Sequence, residues 1–147
     1  ALGAKFNDQK YFSIVLMGDG ECHEGVVWEA AMFAAARKLN NLVIIIDHNK
    51  LSATDKLSNY LDVAPLKAKW EAFGWETVNV DGHNLESLSI LFKRLHSRLS
   101  LKPLVIIAST IKGKGVSFME NECKWHGMAP DKDEFSKALS EVGRSEV

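Results

Sequence analysis

The sequence predicts an α/β protein in which helices cover both faces of a parallel sheet. Two observations support this prediction. Short apolar runs alternate with helix-favouring segments along the chain, and these runs are nearly continuous rather than alternating in polarity. Strands of a parallel sheet are buried on both faces, and each needs a crossover to reach its neighbour. At 147 residues, the chain is expected to form one domain that spans residues 1–147.

Four segments have the length and apolar composition of strands. The first two are bounded by polar residues and are expected to be buried, because they contain almost no charged side chain. The third is followed by Asp81-Gly82, a pair typical of turns. The predicted strands are residues 11–17, 42–47, 76–80 and 104–109.

Helical segments are predicted between these strands. Residues 24–39 are rich in Ala, and the pair Asn40-Asn41 is expected to end that helix. Its small side chains recur at helical spacing, which predicts close packing against a neighbour. The residues concerned are Val27, Ala30, Ala31 and Ala34.

The remaining helices carry clear start and stop signals. Pro65 suits the first turn of a short helix that Gly74 stops, and residues 133–142 form a last helix. Asn84 is expected to cap a helix with one apolar stripe. That stripe consists of Leu85, Leu88, Leu91, Phe92, Leu95 and Leu99. Residues 1–5 resemble the last turn of a helix whose beginning is missing, so we expect a fragment or one subunit of a larger protein.

Composition excludes several classes of function. The net charge is −1, and basic and acidic residues are mixed along the chain, so no nucleic-acid partner is expected. The longest apolar run, residues 42–46, is far too short to cross a membrane. Two cysteines do not make a disulfide framework, which predicts a reducing cytoplasm.

Two polar side chains follow the first two predicted strands. Asp19 lies between Gly18 and Gly20, and Asn49 comes 30 positions later. One helix and one strand fill this interval, so both side chains should reach the same edge of the sheet, where ligands of such sheets bind. Carboxylate and amide oxygens suit magnesium or calcium, and Gly20 precedes a helix start that favours phosphate oxygens. We therefore predict a divalent metal that holds a diphosphate.

The same residues resemble a known motif. GDGECHEG followed by DHN is similar to the thiamine diphosphate motif, and IIIDHNKLSATD resembles its transketolase version. The later stretch STIKGKGVSFMENECKWHGMAP, with its KGKG loop and His-Gly pair, also resembles transketolases. The resemblance covers nearly the whole chain. It implies the diphosphate-binding domain, and specifically the N-terminal subunit of transketolases that are split into two chains.

This resemblance implies roles for individual residues. Asp19 and Asn49 match the metal ligands, and Leu51 matches the residue whose backbone carbonyl completes the metal site. Glu24 matches a glutamate at the subunit interface that is linked to the partner's catalytic glutamate. His126 matches a histidine beside the diphosphate and the substrate-facing side of the cofactor.

Further positions are implied to contact the cofactor. Gly18, Gly20 and Glu21 belong to the diphosphate loop, with Gly20 in contact with the diphosphate. Ile111 matches an apolar residue that packs on the cofactor rings. Ala53 lies where the family often has a larger apolar residue, so its packing role departs from the pattern.

The resemblance also implies the reaction and the partners. A transketolase transfers a two-carbon ketol unit from a ketose to an aldose, with sugar phosphates as substrates. Its pyrimidine-binding domain supplies a catalytic glutamate, and this chain has no room for that domain. The predicted partners are therefore a second copy of this chain and a pyrimidine-binding transketolase subunit, in a heterotetramer.

Three alternatives remain open from the residues. A deoxyxylulose phosphate synthase has a similar loop, and a non-catalytic scaffold subunit could keep the fold without turnover. The two pairs Cys22-His23 and Cys123-x-x-His126 provide the ligand types of a tetrahedral zinc site. For the remaining histidines, His48, His83 and His96, the prediction is a structural or exposed position.

Overall fold

The computed structural model describes residues 1–59 and 61–143, and within them a single parallel sheet forms the centre of the molecule. Its strands lie in the order β1-β2-β4-β3, and every neighbouring pair is parallel. This confirms the predicted parallel sheet. The strands are β1 Ser13–Gly18, β2 Leu42–His48, β3 Glu76–Asp81 and β4 Leu104–Ser109.

Five α-helices are present in the described residues. Short 3-10 turns accompany them at Asp19–His23, Leu57–Asn59, Leu95–Ser97 and Cys123–His126. Two predicted helix ends are confirmed. The Asn84 side chain caps the start of α4 by accepting a hydrogen bond from the Ser87 N–H at 2.9 Å, and Gly74, with a left-handed φ of 87°, follows the end of α3. The helices are α1 Leu2–Phe6, α2 Gly25–Ala36, α3 Leu66–Ala72, α4 Leu85–Arg94 and α5 Lys132–Val142.

Helices cover both faces of the sheet, as predicted. On one face, Ile44 and Ile46 of β2 pack with Ala31 of α2 and with Trp70 and Trp75. On the other face, a second cluster joins residues of β2, β3 and β4 to Leu91 and Phe92 of α4. Alternate residues of β2 therefore belong to different cores, which explains why its sequence is apolar at nearly every position.

The prediction that the first strand is buried is wrong. In β1, Ile14 is 51% exposed and Leu16 is 72% exposed, whereas Met17 is buried. β1 lies at the edge of the sheet, and α4 packs against β3 near the opposite edge. Apolarity alone could not show which strand would lie at an edge.

Two helix predictions also need correction. Leu85 and Leu99 do not belong to a buried stripe, because they are 80% and 97% exposed. Leu85 is the first residue of α4, and Leu99 lies beyond its end at Arg94. The helix predicted for residues 24–39 ends earlier, at Ala36, so Asn40-Asn41 does not form its cap.

The strand register brings three loops to one edge of the sheet. Gly18 at the end of β1 lies opposite Asp47 of β2, and His48 lies opposite Ser109 of β4. Asp81 at the end of β3 also lies opposite Ser109. No helix in the described ranges is long and apolar enough to cross a membrane.

Candidate functional site

A cleft of about 380 Å³ opens at the carboxyl ends of β1 and β2. It brings together eight of the nine residues predicted for the site. Ile111 lies in an adjoining cleft of about 430 Å³, and the two clefts share Asp47, Asn49 and Lys112. The eight residues that line the first cleft are Gly18, Asp19, Gly20, Glu21, Glu24, Asn49, Leu51 and His126.

Asp19 is a buried carboxylate, only 1% exposed. Its Oδ2 atom accepts a hydrogen bond from the backbone N–H of Lys50 at 2.7 Å and lies 2.9 Å from Nδ1 of His48. Both contacts come from the end of β2, so β2 fixes the orientation of a side chain that follows β1. His48, predicted to be structural or exposed without a partner, thus directly contacts a predicted metal ligand.

The amide of Asn49 is held at both ends. Its Nδ2 donates to Asp47 Oδ2 at 3.2 Å, and its Oδ1 accepts from the N–H of Leu51 at 2.9 Å. A carbonyl oxygen has two lone pairs, so Oδ1 retains one for another ligand. Leu51 is buried and pairs with Lys56 in an isolated antiparallel bridge, which closes the loop of residues 52–55.

The cleft is strongly acidic. Four carboxylate side chains line it, those of Asp19, Glu21, Glu24 and Asp47, against one lysine, Lys112. A diphosphate would be repelled by these carboxylates unless a cation lay between them. Lys112, in the loop that follows β4, lines the cleft together with these carboxylates.

The loop of residues 18–21, which is predicted to bind the diphosphate, is stabilised by one of its own side chains. The N–H of Gly18 donates to Oε2 of Glu21 at 2.5 Å, so the Glu21 carboxylate caps the 3-10 turn that begins at Asp19. Helix α2 starts immediately after this turn, at Gly25. Residues 18–21 and Glu24, which directly precedes α2, therefore line the same cleft.

The remaining predicted residues lie on the rim. Glu24 is exposed at the start of α2, and His126 is exposed at the end of the turn Cys123–His126. The loop after β4 is fixed to the turn after β3, because the N–H of Ile111 donates to Nε2 of His83 at 2.8 Å. His83, predicted to be structural or exposed, holds this loop.

The KGKG loop needs its first glycine. Gly113 has a left-handed φ of 73°, and a Cβ there would lie 2.4 Å from the carbonyl oxygen of Met119. The N–H of Asn121 donates to the carbonyl of Lys112 at 2.9 Å and closes the loop over this contact. Glycine at this position therefore lets the loop fold back on itself while Lys112 lines the cleft.

The structure does not support the zinc alternative. In the described part of the chain, no three or more His, Cys, Asp or Glu side chains are grouped to hold a metal ion. His23 Nε2 lies 2.7 Å from the carbonyl oxygen of Leu61. Burial, reinforced by the nearby charges of Asp19 and Glu21, raises the pKa of the Cys22 thiol to about 12 in the metal-free chain.

The two cysteines are therefore expected to differ in reactivity. At pH 8, Cys123 should react with iodoacetamide in the native chain, whereas Cys22, which is 4% exposed, should react only after denaturation. Peptide mass spectrometry after labelling identifies the modified residue. Rapid labelling of Cys22 in the folded chain would contradict its assigned burial and protonation.

Comparison with known families gives the site a context. The chain matches the family model described as transketolase, thiamine diphosphate binding domain, over residues 2–146. It belongs to the transketolase family. The resemblance inferred from the GDG and DHN segments is thereby confirmed, and so is its assignment to the thiamine diphosphate binding domain of transketolases.

Individual transketolases share this region. The chain is 38% identical over 142 residues to an apulose-4-phosphate transketolase subunit of Phocaeicola vulgatus, a match that covers 97% of this chain and 50% of the relative. It is 38% identical over 142 residues to human transketolase, covering 95% of this chain and 22% of the relative. The crystal structure of transketolase from Campylobacter jejuni superposes with a TM-score of 0.84 at 30% identity, over 92% of this chain and 21% of that one. The chain thus spans about half of the bacterial relative and about a fifth of the human transketolase.

Proposed function

We propose that this chain is the diphosphate- and metal-binding half of a transketolase that transfers a two-carbon ketol unit from a ketose to an aldose, with sugar phosphates as substrates. The observation that supports this proposal is the joint placement of Asp19, Asn49 and Leu51 on one cleft at the carboxyl ends of β1 and β2. Their carboxylate, amide and backbone oxygens are the ligands that Mg²⁺ or Ca²⁺ prefers.

The burial of Asp19 supports a resident cation. An ionised carboxylate that is 1% exposed is costly unless it is paired with a positive charge. Its described partners are the Lys50 N–H and the imidazole of His48, and both use Oδ2. A divalent cation in the cleft would supply the missing charge at the same carboxylate.

The cofactor would supply the chemistry, and this chain would bind and orient it. Thiamine diphosphate, when bound, supplies the stabilised carbanion that carbon–carbon bond cleavage and transfer require. Asp19, Asn49 and the Leu51 carbonyl would hold the metal that binds the diphosphate. Gly18, Gly20 and Glu21 would shape the loop around the phosphates, while Lys112 and His126 would face them from the opposite loop. Ile111 would pack on the cofactor rings from the adjoining cleft.

Glu24 has a different place in the proposal. It lies on the cleft but is exposed at the start of α2, where a second chain can reach it. Val26 and Phe33, two turns apart on one side of α2, are 61% and 48% exposed. We propose that Glu24 and this apolar side of α2 contact a pyrimidine-binding subunit, whose catalytic glutamate would pair with Glu24.

The proposed assembly follows from this contact with a second subunit. A relative covered to half its length is named as a transketolase subunit, which supports two polypeptides per active site. We propose a heterotetramer of two copies of this chain and two pyrimidine-binding chains. Both cysteines are free thiols, which suits the reducing conditions of the cytoplasm.

Reconstitution tests this function. The chain should be mixed with a candidate pyrimidine-binding subunit, Mg²⁺ and thiamine diphosphate, and ketol transfer between sugar phosphates should be assayed. We expect activity from the pair and none from either chain alone. Full activity of this chain alone would refute the shared site. Release of carbon dioxide from pyruvate would identify a synthase instead, and cofactor binding without turnover would identify a scaffold.

A further inference from the structure

We infer that Asp47 is a positioning residue that fixes the orientation of the Asn49 amide and, through Thr110, joins this metal ligand to the loop that carries Ile111. The inference rests on the proposed metal site and concerns residues to which no role was assigned from the sequence. Asp47 is the second-to-last residue of β2, and it lines both adjoining clefts.

The two hydrogen-bond partners of Asn49 determine which end of its amide faces which neighbour. An ionised carboxylate only accepts hydrogen bonds, and a backbone N–H only donates. Because Asn49 lies between Asp47 Oδ2 at 3.2 Å and the Leu51 N–H at 2.9 Å, its nitrogen must face Asp47 and its oxygen must face Leu51. This orientation presents Oδ1, the atom that a metal requires, on the side of the loop that carries Leu51.

The other oxygen of the Asp47 carboxylate, Oδ1, has a partner of its own. The hydroxyl of Thr110 donates to Asp47 Oδ1, so each carboxylate oxygen accepts from a different element. Thr110 directly follows β4, and its N–H also donates to the carbonyl of His48 at 3.3 Å. The Asp47 carboxylate therefore has little freedom to rotate, and neither does the amide that it holds.

Thr110 and the loop that follows it are held by the turn after β3. A Cβ on Gly82 would lie 2.4 Å from Cγ2 of Thr110, so the turn after β3 packs closely against the threonine. The next N–H along the chain, that of Ile111, donates to His83 of the same turn. Thr110 is thus enclosed by the turn after β3 on one side and Asp47 on the other. Asn49, the proposed metal ligand, and the loop that carries Ile111 are therefore held by the same two residues, Asp47 and Thr110.

Such supporting contacts affect metal affinity. Loss of a residue that orients a metal ligand typically weakens metal binding by about 10- to 100-fold. Thr110→Val keeps the side-chain shape and removes only the hydroxyl, while Thr110→Ser keeps the hydroxyl. In Asp47→Asn the new amide has one acceptor oxygen where the carboxylate has two, so it cannot serve Asn49 and Thr110 in the native way.

The experiment measures the Kd for Mg²⁺ by calorimetric titration of the full chain in saturating thiamine diphosphate, together with the Tm of the chain without ligands. We expect Thr110→Val and Asp47→Asn to raise the Kd for Mg²⁺ by about tenfold or more. Thr110→Ser should restore a value near that of the wild type. A purely structural role would lower the Tm and leave the Kd unchanged, which would contradict the inference.

Thr77→Val is the matched control. Thr77 donates its hydroxyl to Glu71 Oε1 at 2.8 Å, where β3 meets α3, so this variant loses one threonine hydrogen bond away from the cleft. It should keep the wild-type Kd. An unchanged Kd in both Thr110→Val and Asp47→Asn, with a wild type that binds, would overturn this inference alone. A wild type that binds neither Mg²⁺ nor thiamine diphosphate, whether alone or paired with a pyrimidine-binding subunit, would overturn the proposed function and this inference with it.

Discussion

Replacement of Asp19 by Asn is expected to abolish the stabilisation that Mg²⁺ and thiamine diphosphate together confer on the chain. The variant keeps the shape of the side chain and its acceptor for the Lys50 N–H, but it loses the charge that would bind the cation. A direct metal ligand should matter more than its supporting residues, so the Kd for Mg²⁺ should rise by more than about 100-fold. Thermal unfolding with and without both ligands measures the effect.

The same variant should unfold at an equal or higher temperature in the absence of ligands. Replacing a buried carboxylate by a neutral amide removes the desolvation cost of its charge, and functional sites commonly carry such costs. Asp133→Asn is the charge-matched control, because Asp133 lies in the first turn of α5 and does not line the cleft. A ligand-induced rise in Tm for Asp19→Asn equal to that of Asp133→Asn would show that the metal site has been assigned wrongly.

Glu24→Gln is expected to lower the kcat for ketol transfer on the order of 100-fold or more when this chain is combined with the pyrimidine-binding subunit. The proposed role of Glu24 is to pair with the partner's catalytic glutamate and so position it, and proton transfer by a positioned side chain typically contributes about 10²- to 10⁴-fold. Metal binding by the isolated chain should be unchanged, because Glu24 is exposed on the rim and is not a proposed metal ligand.

Glu29→Gln provides the comparison for this result. Glu29 is also an exposed glutamate on α2, but it does not line the cleft. Steady-state kinetics at saturating cofactor, with complex formation followed by size-exclusion chromatography, separates a loss of turnover from a loss of assembly. Equal kcat values for the two variants would exclude the proposed role of Glu24, provided that both pairs assemble.

The sheet could be predicted from the sequence because its strands are self-evident apolar runs. Residues 42–47 and 104–109 are predicted within one residue of β2 and β4. The exposure of Ile14 and Leu16 could not be predicted, since burial depends on what packs over a strand and not on its own composition. The predicted stripe failed at Leu99 for a different reason: helical spacing has no meaning beyond Ser97, where the 3-10 turn that continues α4 ends.

The site was predictable where chain topology alone determines position. Asp19 and Asn49 had to meet because parallel strands place their carboxyl ends at one edge of the sheet. The contact between His48 and Asp19, and the support of Asn49 by Asp47, depend on side-chain directions at the ends of two strands. Sequence spacing does not encode those directions, although a charged residue that ends an apolar strand, such as Asp47, is a signal that can be searched for.

The position of β1 has a practical consequence for handling the protein. As an edge strand, β1 has backbone groups on its outer side that no other strand of the described sheet pairs with, and its side chains Ile14, Val15 and Leu16 are apolar and exposed. This combination favours aggregation between copies of the chain. Losses during purification of the chain by itself would then reflect intermolecular strand pairing rather than poor folding. Ile14→Lys should improve recovery, because Ile14 is exposed and lines neither of the two clefts.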